Sequence, residues 1–387
     1  MTLPQDTRIV THEAYEAHRQ KYADLYGPHG WLLFVACDAG QELAHRVRDE
    51  YYRSLEEAYR EAGNDAKIVE IPLMAGITNK FEGDGRDGTC PRIPHHVGGA
   101  DAYVFQNVMD KRRGSKSVND NLMQLGQMIA TLKAHGAAKV TAIVPYFPYS
   151  RQDKPSYMKR EAALVRAVAD YLVESKVDQV ASYHPHTTGI VGIFPFDKPF
   201  RYISGLDLFV NAFSRFKGDQ QAISFCTDAG GIKENIHLAD ALGIDFGLAA
   251  KHRPKQKTTK ALGIVADMTN KKRAIVIDDE AATFGSCFDV AKHLAEDYGI
   301  EEIYVGVSHM RVEQSALPKL VDVHEKYNVK EIHTTDSVPP IEELYQLPFV
   351  KVHSLARMWA TVINRLHYDM SVSKLFYDPE RNHREKG

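Results

Sequence analysis

Cysteine is scarce in this chain, with four in 387 residues, and Cys37, Cys90, Cys226 and Cys287 are scattered without any CxxC spacing. That excludes a disulfide framework and a thiolate zinc site, and it fits a reducing cytoplasm. Net charge is nearly absent: 48 basic against 51 acidic residues leave −3. No global basic field exists to hold nucleic acid. Long apolar runs are missing too, and none reaches the ~18 residues of a membrane span. The first residues, MTLPQDTRIVTHEAYEAHRQ, lack the apolar stretch of a signal peptide. Low-complexity tracts and short tandem repeats do not occur. Neither a membrane nor nucleic acid is expected as a partner.

What is present is ordinary globular material. Apolar residues make up 44% of the chain, enough for a sizeable core, and the length suggests two domains. Short apolar runs alternate with helical patterns. WLLFVA (31–36) reads as a buried strand and QELAHRVRDEYYRSLEEAYREAG as a helix. In NLMQLGQMIATLKAHG, residues Leu122, Leu125, Ile129 and Leu132 share one helical face. KVTAIVPYF and QVASYH are strands flanking the amphipathic helix EAALVRAVADYLVES. The second half repeats the style, with QAISFCTDAGG, IHLADALG, FGLAAKHR, RAIVIDDEAATFGS, FDVAKHLAEDYG and EIYVGVSHM. Such alternation predicts an α/β fold with mainly parallel sheets covered by helices on both faces. FPFDKPFRYISG, near Phe196 to Leu206, has the composition of a connector between two units.

Ligands in open α/β sheets bind beyond the carboxyl ends of the strands, so polar clusters after apolar runs are the candidate sites. In AIVIDDEAATFGS, adjacent carboxylates Asp278 and Asp279 suit the paired hydroxyls of a ribose. The turn from Ala281 to Ser286, with hydroxyls at Thr283 and Ser286 and the next helix behind it, suits a phosphate dianion. A solvated strand end with a helix cap would have the same composition. In TDAGG (227–231), Asp228 could hold Mg²⁺, which favours oxygen ligands, although a plain turn explains the glycines equally well. In KHRPKQK, Lys251 and Arg253 alternate and could stabilise charge on a transferring phosphoryl group; a solvated loop is the simpler reading of that segment alone. In FPYSRQDK, Arg151 offers a planar cation, while Gln152 and Asp153 offer polar recognition. His184, one of eighteen histidines, follows QVASY; histidine is a more usual ligand for zinc or iron than for magnesium.

Taken in order, these segments resemble the ribose-phosphate pyrophosphokinase (phosphoribosyl pyrophosphate synthetase) family. NDNLMQLGQMIATLKAHGAAKVTAIVPYFPYSRQDKP (119–155) is similar to the family's most distinctive stretch. TDAGG, KHR, VIDDEAATFGS, TTDSVP (334–339) and SLARMWATVINRLHYDMSVSKLF (354–376) resemble further family motifs, so the likeness spans about 31–377. The resemblance implies two phosphoribosyltransferase-like domains, at 31–205 for ATP and 206–350 for ribose 5-phosphate. It places an extension at 1–30 and a C-terminal helix within 351–387 that returns to the first domain. It implies a homo-oligomer built on dimers, a hexamer among its forms, with the active site between domains and shared across a dimer interface. The anomeric hydroxyl of ribose 5-phosphate would attack the β-phosphorus of ATP and release AMP. By motif, Arg151, Gln152 and Asp153 would bind ATP, with Phe81 on adenine. His184 and Asp228 would serve Mg²⁺, and Lys251 and Arg253 the transition state. Asp278, Asp279, Thr283, Gly285 and Ser286 would take ribose 5-phosphate.

Several departures mark a divergent member. Ala282 stands where the family has an acid, and Phe284 where a small residue is common. Ser182 replaces an Asp before the histidine segment. The adenine loop 81–101 is long, with Gly98 in place of an Arg and either Asp84 or Asp87 as its acid. Two other readings compete. A non-catalytic regulatory homologue should have lost the Lys-x-Arg or the acidic pair, and both remain. A phosphoribosyltransferase would leave FPYSRQDK and the first domain without a task.

Overall fold

The computed structural model describes residues 11–21, 23–63, 70–75, 78–80, 89–156, 158–252 and 261–375. They form two compact units. The first gathers the described residues up to Met109, Ser115–Ile203 and Leu355–Val372; the second gathers Asp110–Gly114, Ser204–Ser354 and the described residues from 373 onward.

The first unit begins with helix α1 (His12–Lys21), strands β1 (Tyr26–Gly27) and β2 (Gly30–Ala36), and helix α2 (Gln41–Glu61). Strands β3 (Leu73–Met74), β4 (Thr78–Lys80), β5 (Thr89–Pro91) and β6 (Ala100–Phe105) follow. Then come α3 (Val118–Ala134), β7 (Lys139–Ile143), α4 (Leu164–Glu174), β8 (Gln179–Tyr183) and β9 (Phe200–Ile203). The main sheet runs β1-β2-β6-β7-β8-β9, with β3 also on β2 and β4 paired separately with β5. Its described pairings are parallel except β1 on β2.

A strand covered on both faces needs no polar alternation, and β2 shows why. Leu33 and Val35 join the core containing Leu125, Ile129 and Val168 from α3 and α4. Phe34 points the other way and meets Tyr51 of α2, with ring centres 6.2 Å apart. Helix α3 buries Leu125, Ile129 and Leu132 as the spacing predicts. It starts earlier than its apolar period because Ser117 Oγ accepts from the Asp120 amide at 3.2 Å while Asp120 Oδ2 accepts from the Ser117 amide at 3.2 Å, a reciprocal cap. A Cβ at Gly126 would come within 2.3 Å of the Tyr171 hydroxyl. Glycine there costs α3 about 1 kcal/mol of helix propensity, and lets Tyr171 donate to the Met123 carbonyl at 3.0 Å.

The second unit contains α5 (Leu206–Ala212), β10 (Ala222–Cys226), α6 (Ile232–Leu242), β11 (Asp245–His252) and β12 (Ala261–Val265). It continues with β13 (Arg273–Ala281), α7 (Gly285–Asp297), β14 (Glu302–Met310) and α8 (Leu317–Lys326). It ends with β15 (Val329–Thr335), α9 (Glu342–Tyr345) and β16 (Val350–His353). The sheet order is β12-β11-β10-β13-β14-β15-β16, parallel except for β11 with β12. Val276, Val305 and Val307 pack with Val290, Leu294 and Leu320 of α7 and α8. Ile275, Ile277 and Tyr304 pack with Phe209, Leu238 and Leu242 of α5 and α6 on the opposite face. Both units are therefore α/β, each a mainly parallel sheet between helices.

Helix α10 (Ala356–His367) belongs to the first unit. Its Trp359 is fully buried, Asn364 donates to the Tyr51 hydroxyl at 2.8 Å, and Arg357 pairs with Glu57 at 2.6 Å. Among the described residues no helix is long and apolar enough to cross a membrane.

Candidate functional site

In the second unit, β11, β10 and β13 are neighbours: Cys226 is in register with Leu248 on one side and Ile277 on the other. Parallel pairing brings the three carboxyl ends to one edge. The backbone of Lys251, the Thr227–Asp228 turn and the Asp278–Asp279 pair all occur there. Strand β13 does not stop before the acids. Asp278 is in register with Val307 and Glu280 with His309 of β14, so the acidic pair lies within the strand's final residues.

Asp228 Oδ1 accepts from the amides of Gly230 at 2.9 Å and Gly231 at 3.3 Å, which closes the turn into α6. Burial and the negative charge of Asp279 push the Asp278 carboxyl up to about 8, against the hydroxyl of Thr227, with Asp228 adding to the rise. Burial, with the charges of Asp228 and Asp278 adding to it, raises the Cys226 thiol to about 11, so it is no ready nucleophile. Cys287 Sγ, in the first turn of α7, lies 3.9 Å from Asp278 Oδ2. Crowded carboxyls of this kind favour a cation. Next in the strand, buried Glu280 pairs with Arg311 at 2.6 Å.

The loop after β13 is short. Thr283 is exposed, and Phe284 has φ 56° and is buried. Gly285 and Ser286, which the sequence suggests are loop, form the first turn of α7. That turn carries no acid, and Phe284 supplies no side-chain cap. The first amides of a helix lack intrahelical acceptors and favour anions, so this end of α7 can serve a phosphate.

In the first unit β7 and β8 are neighbours. After β7, Phe147 turns inward against Phe194 and Phe200, with ring centres 6.0 and 5.2 Å away. The Tyr149 hydroxyl donates to Asn119 at 2.5 Å, and the Gln152 amide donates to the Tyr149 carbonyl at 2.9 Å. This turn leaves Arg151 and Gln152 exposed and Asp153 half-buried. His184 follows β8, is buried, and donates its amide to the Ile203 carbonyl at 2.7 Å. Arg151, Gln152, Asp153 and His184 thus follow adjacent strand ends.

Phe81 and Arg253 lie outside the described residues, and for Lys251 only the backbone is described. Among the described residues, no group of three or more His, Cys, Asp or Glu could hold a metal ion by itself. Thr227, Cys287 and the Glu280–Arg311 pair were not expected from sequence. Only Thr227 had a signal, standing directly before Asp228.

Residues 32–175 match the model described as the N-terminal domain of ribose phosphate pyrophosphokinase. Residues 241–377 match the phosphoribosyl synthetase-associated domain. A ribose-phosphate pyrophosphokinase of Fusobacterium nucleatum is 32% identical over 286 residues, covering 73% of this chain and 85% of its own length. That of Clostridium tetani is 29% identical over 313 residues, covering 80% and 92%. The crystal structure of phosphoribosylpyrophosphate synthetase from Mycobacterium smegmatis aligns with a TM-score of 0.70 at 25% identity, over 87% of this chain and 99% of that one.

Proposed function

The chain belongs to the ribose-phosphate pyrophosphokinase family, and from that premise we propose that it transfers the β,γ-diphosphoryl group of ATP to ribose 5-phosphate. The oxygen of the anomeric hydroxyl forms a bond to the β-phosphorus and loses its proton. The bond from that phosphorus to the α,β-bridging oxygen breaks, and AMP leaves. Phosphoryl-type transfer depends on positioning and charge rather than on a covalent enzyme intermediate.

The observation that carries this reading is the shared edge of β11, β10 and β13, which gathers Lys251, Asp228, Asp278 and Asp279 beside the start of α7. Asp278 and Asp279 would accept hydrogen bonds from the ribose hydroxyls. Thr283, Gly285 and Ser286 would bind the 5-phosphate with hydroxyls and amides. Lys251 and Arg253 would balance charge developing on the transferring group. Arg151, Gln152 and Asp153, with Phe81, would orient ATP.

Asp228 fits Mg²⁺, because it offers a hard oxygen beside carboxyls already crowded enough to raise Asp278. With one or two protein ligands, a bound cation would leave its other positions to phosphate oxygens and water. His184 offers a nitrogen, a less usual magnesium ligand, and its assignment rests on the family motif. Bound Mg²⁺ would supply charge neutralisation on the triphosphate. The family reading also implies a homo-oligomer, which sedimentation would register.

AMP release from ATP is expected to depend on ribose 5-phosphate. Lys251→Ala is expected to lower kcat about 100-fold or more while both substrates still bind. AMP release indifferent to ribose 5-phosphate would sink the proposal. Undiminished turnover in the variant would remove Lys251 from its role.

A further inference from the structure

Eight non-glycine residues among those described have left-handed backbone angles, and three of them, Tyr149, His184 and Phe284, follow the ends of β7, β8 and β13. Phe284 is the unusual one. Its φ is 56° and its ψ 13°, a conformation costly for a bulky L-residue and ordinarily left to glycine. Such a state persists only where the surroundings over-determine it, and it concentrates where ligands are held.

The surroundings here do so. Phe284 is 1% exposed and joins the core that Cys287, Met310, Val312 and Leu320 share. The loop is tied on both sides of it. The Arg311 amide donates to the Ala281 carbonyl at 2.8 Å, and the Phe288 amide donates to the Phe284 carbonyl at 3.0 Å. From α8, Lys319 Nζ reaches the Thr283 carbonyl at 3.5 Å. Only Ala282 and Thr283 lie exposed between these ties.

We propose that Phe284 is a positioning residue for the sugar-phosphate loop, its buried ring pinning the left-handed turn that leads from Thr283 into α7. The proposal rests on the reading of this loop as the ribose 5-phosphate site. A glycine would reach the same angles without strain but would leave the loop to be ordered when ligand arrives. The anchored ring makes that ordering part of folding, so less is lost on binding.

Leucine and isoleucine separate anchoring from bulk. They have equal volume, but a β-branched residue opposes the left-handed state more strongly. In steady-state kinetics of the full chain, Phe284→Leu is expected to keep KM for ribose 5-phosphate within about threefold. Phe284→Ile and Phe284→Gly are expected to raise it about tenfold or more, with KM for ATP and kcat little changed. Equal KM values for ribose 5-phosphate in all three variants, with only melting temperature altered, would reduce Phe284 to a core residue. Hydrogen exchange on the wild type tests the same point without a variant. The Phe288 amide, which donates to the Phe284 carbonyl, is expected to be protected before ribose 5-phosphate is added. Protection that appears only with the ligand would overturn the proposal. A wild type without ribose 5-phosphate-dependent AMP release would instead remove the functional reading beneath it.

Discussion

Asp278 occupies a place where a carboxylate is poorly accommodated. Burial and the charges of Asp279 and Asp228 raise it to about 8, against about 3.9 in an unfolded chain. The folded state therefore binds the proton more tightly than the unfolded state does. Its contribution is fully present below about pH 4 and is lost as pH rises toward about 8. Asp278→Asn removes that loss while keeping a polar partner for Thr227. The ligand-free variant is expected to melt a few degrees above wild type at pH 8, at about 2–4 °C per kcal/mol, while KM for ribose 5-phosphate rises. Thermal unfolding and kinetics on the same sample check both; a variant melting lower than wild type at pH 8 would contradict the charge-crowding account. The acid pair itself is legible in sequence, because it stands directly after the apolar run AIVI. Thr227 as a partner of Asp278 is not, since it depends on the alignment of β10 with β13. The backbone state of Phe284 is not either, since sequence signals left-handed residues mainly through Gly and Asn.

Elements were legible where burial dictates them. The apolar runs behind β2, β7 and β14 and the helical spacing of α3 and α4 all appear in the structure. Boundaries depended on partners instead. Strand β13 runs on to Ala281 because β14 supplies Val307, His309 and Met310 for pairing, and backbone pairing ignores side-chain polarity. Helix α6 opens on Ile232 followed by Lys233, Glu234 and Asn235, and α7 opens on Gly285, Ser286 and Cys287, so neither first turn carries an apolar period. Helix α1 is polar and mostly exposed, so nothing in the extension announced it. Strands β15 and β16 bring together a histidine pair that composition could not show. His333 Nε2 donates to Glu331 at 3.1 Å, which leaves Nδ1 to accept from His353 Nε2 at 2.9 Å. Both rings are neutral in this arrangement, and burial lowers both pKa values. Glu331 opposes the shift and Arg215 and Lys351 support it for His333, while Asp336 opposes it for His353. Lowered histidines stabilise the fold above about pH 6.5 and lose that contribution as pH falls below it. Urea unfolding at pH 7.5 and 5.5 should show that loss, and His353→Gln should reduce it. Equal losses in the two proteins would mean the pair does not titrate with folding.

At the scale of the molecule, the first unit is discontinuous: its core needs residues near both ends of the chain, with the second unit encoded between them. The closure is chemically specific. His367 and Asp101 are both fully buried, with Nδ1 2.8 Å from Asp101 Oδ2 and Nε2 3.2 Å from the Leu25 carbonyl. Both ring nitrogens therefore face oxygens, and the imidazole is held on both sides. Tyr103 adds a hydroxyl to the same carboxylate at 3.2 Å. A Cβ at Gly27 would lie 2.4 Å from the His367 carbonyl, which leaves β1 no room for another residue type. Outside, His29 meets Asp369 at 2.9 Å. Removing one member of a buried pair strands the other, at a cost of about 3–5 kcal/mol, whereas removing both can be nearly neutral. His367→Leu is therefore expected to destabilise the first unit by about that amount, and adding Asp101→Asn should recover much of it. The chain's two tryptophans, Trp31 and Trp359, both lie in this unit, so their fluorescence reports its unfolding selectively. Under urea, the tryptophan transition of His367→Leu should move to lower concentration and return part-way in the double variant. A single variant whose transition stays within about 1 kcal/mol of wild type would show that apolar packing of α10 on α2, rather than the buried His367–Asp101 pair, holds the chain ends together.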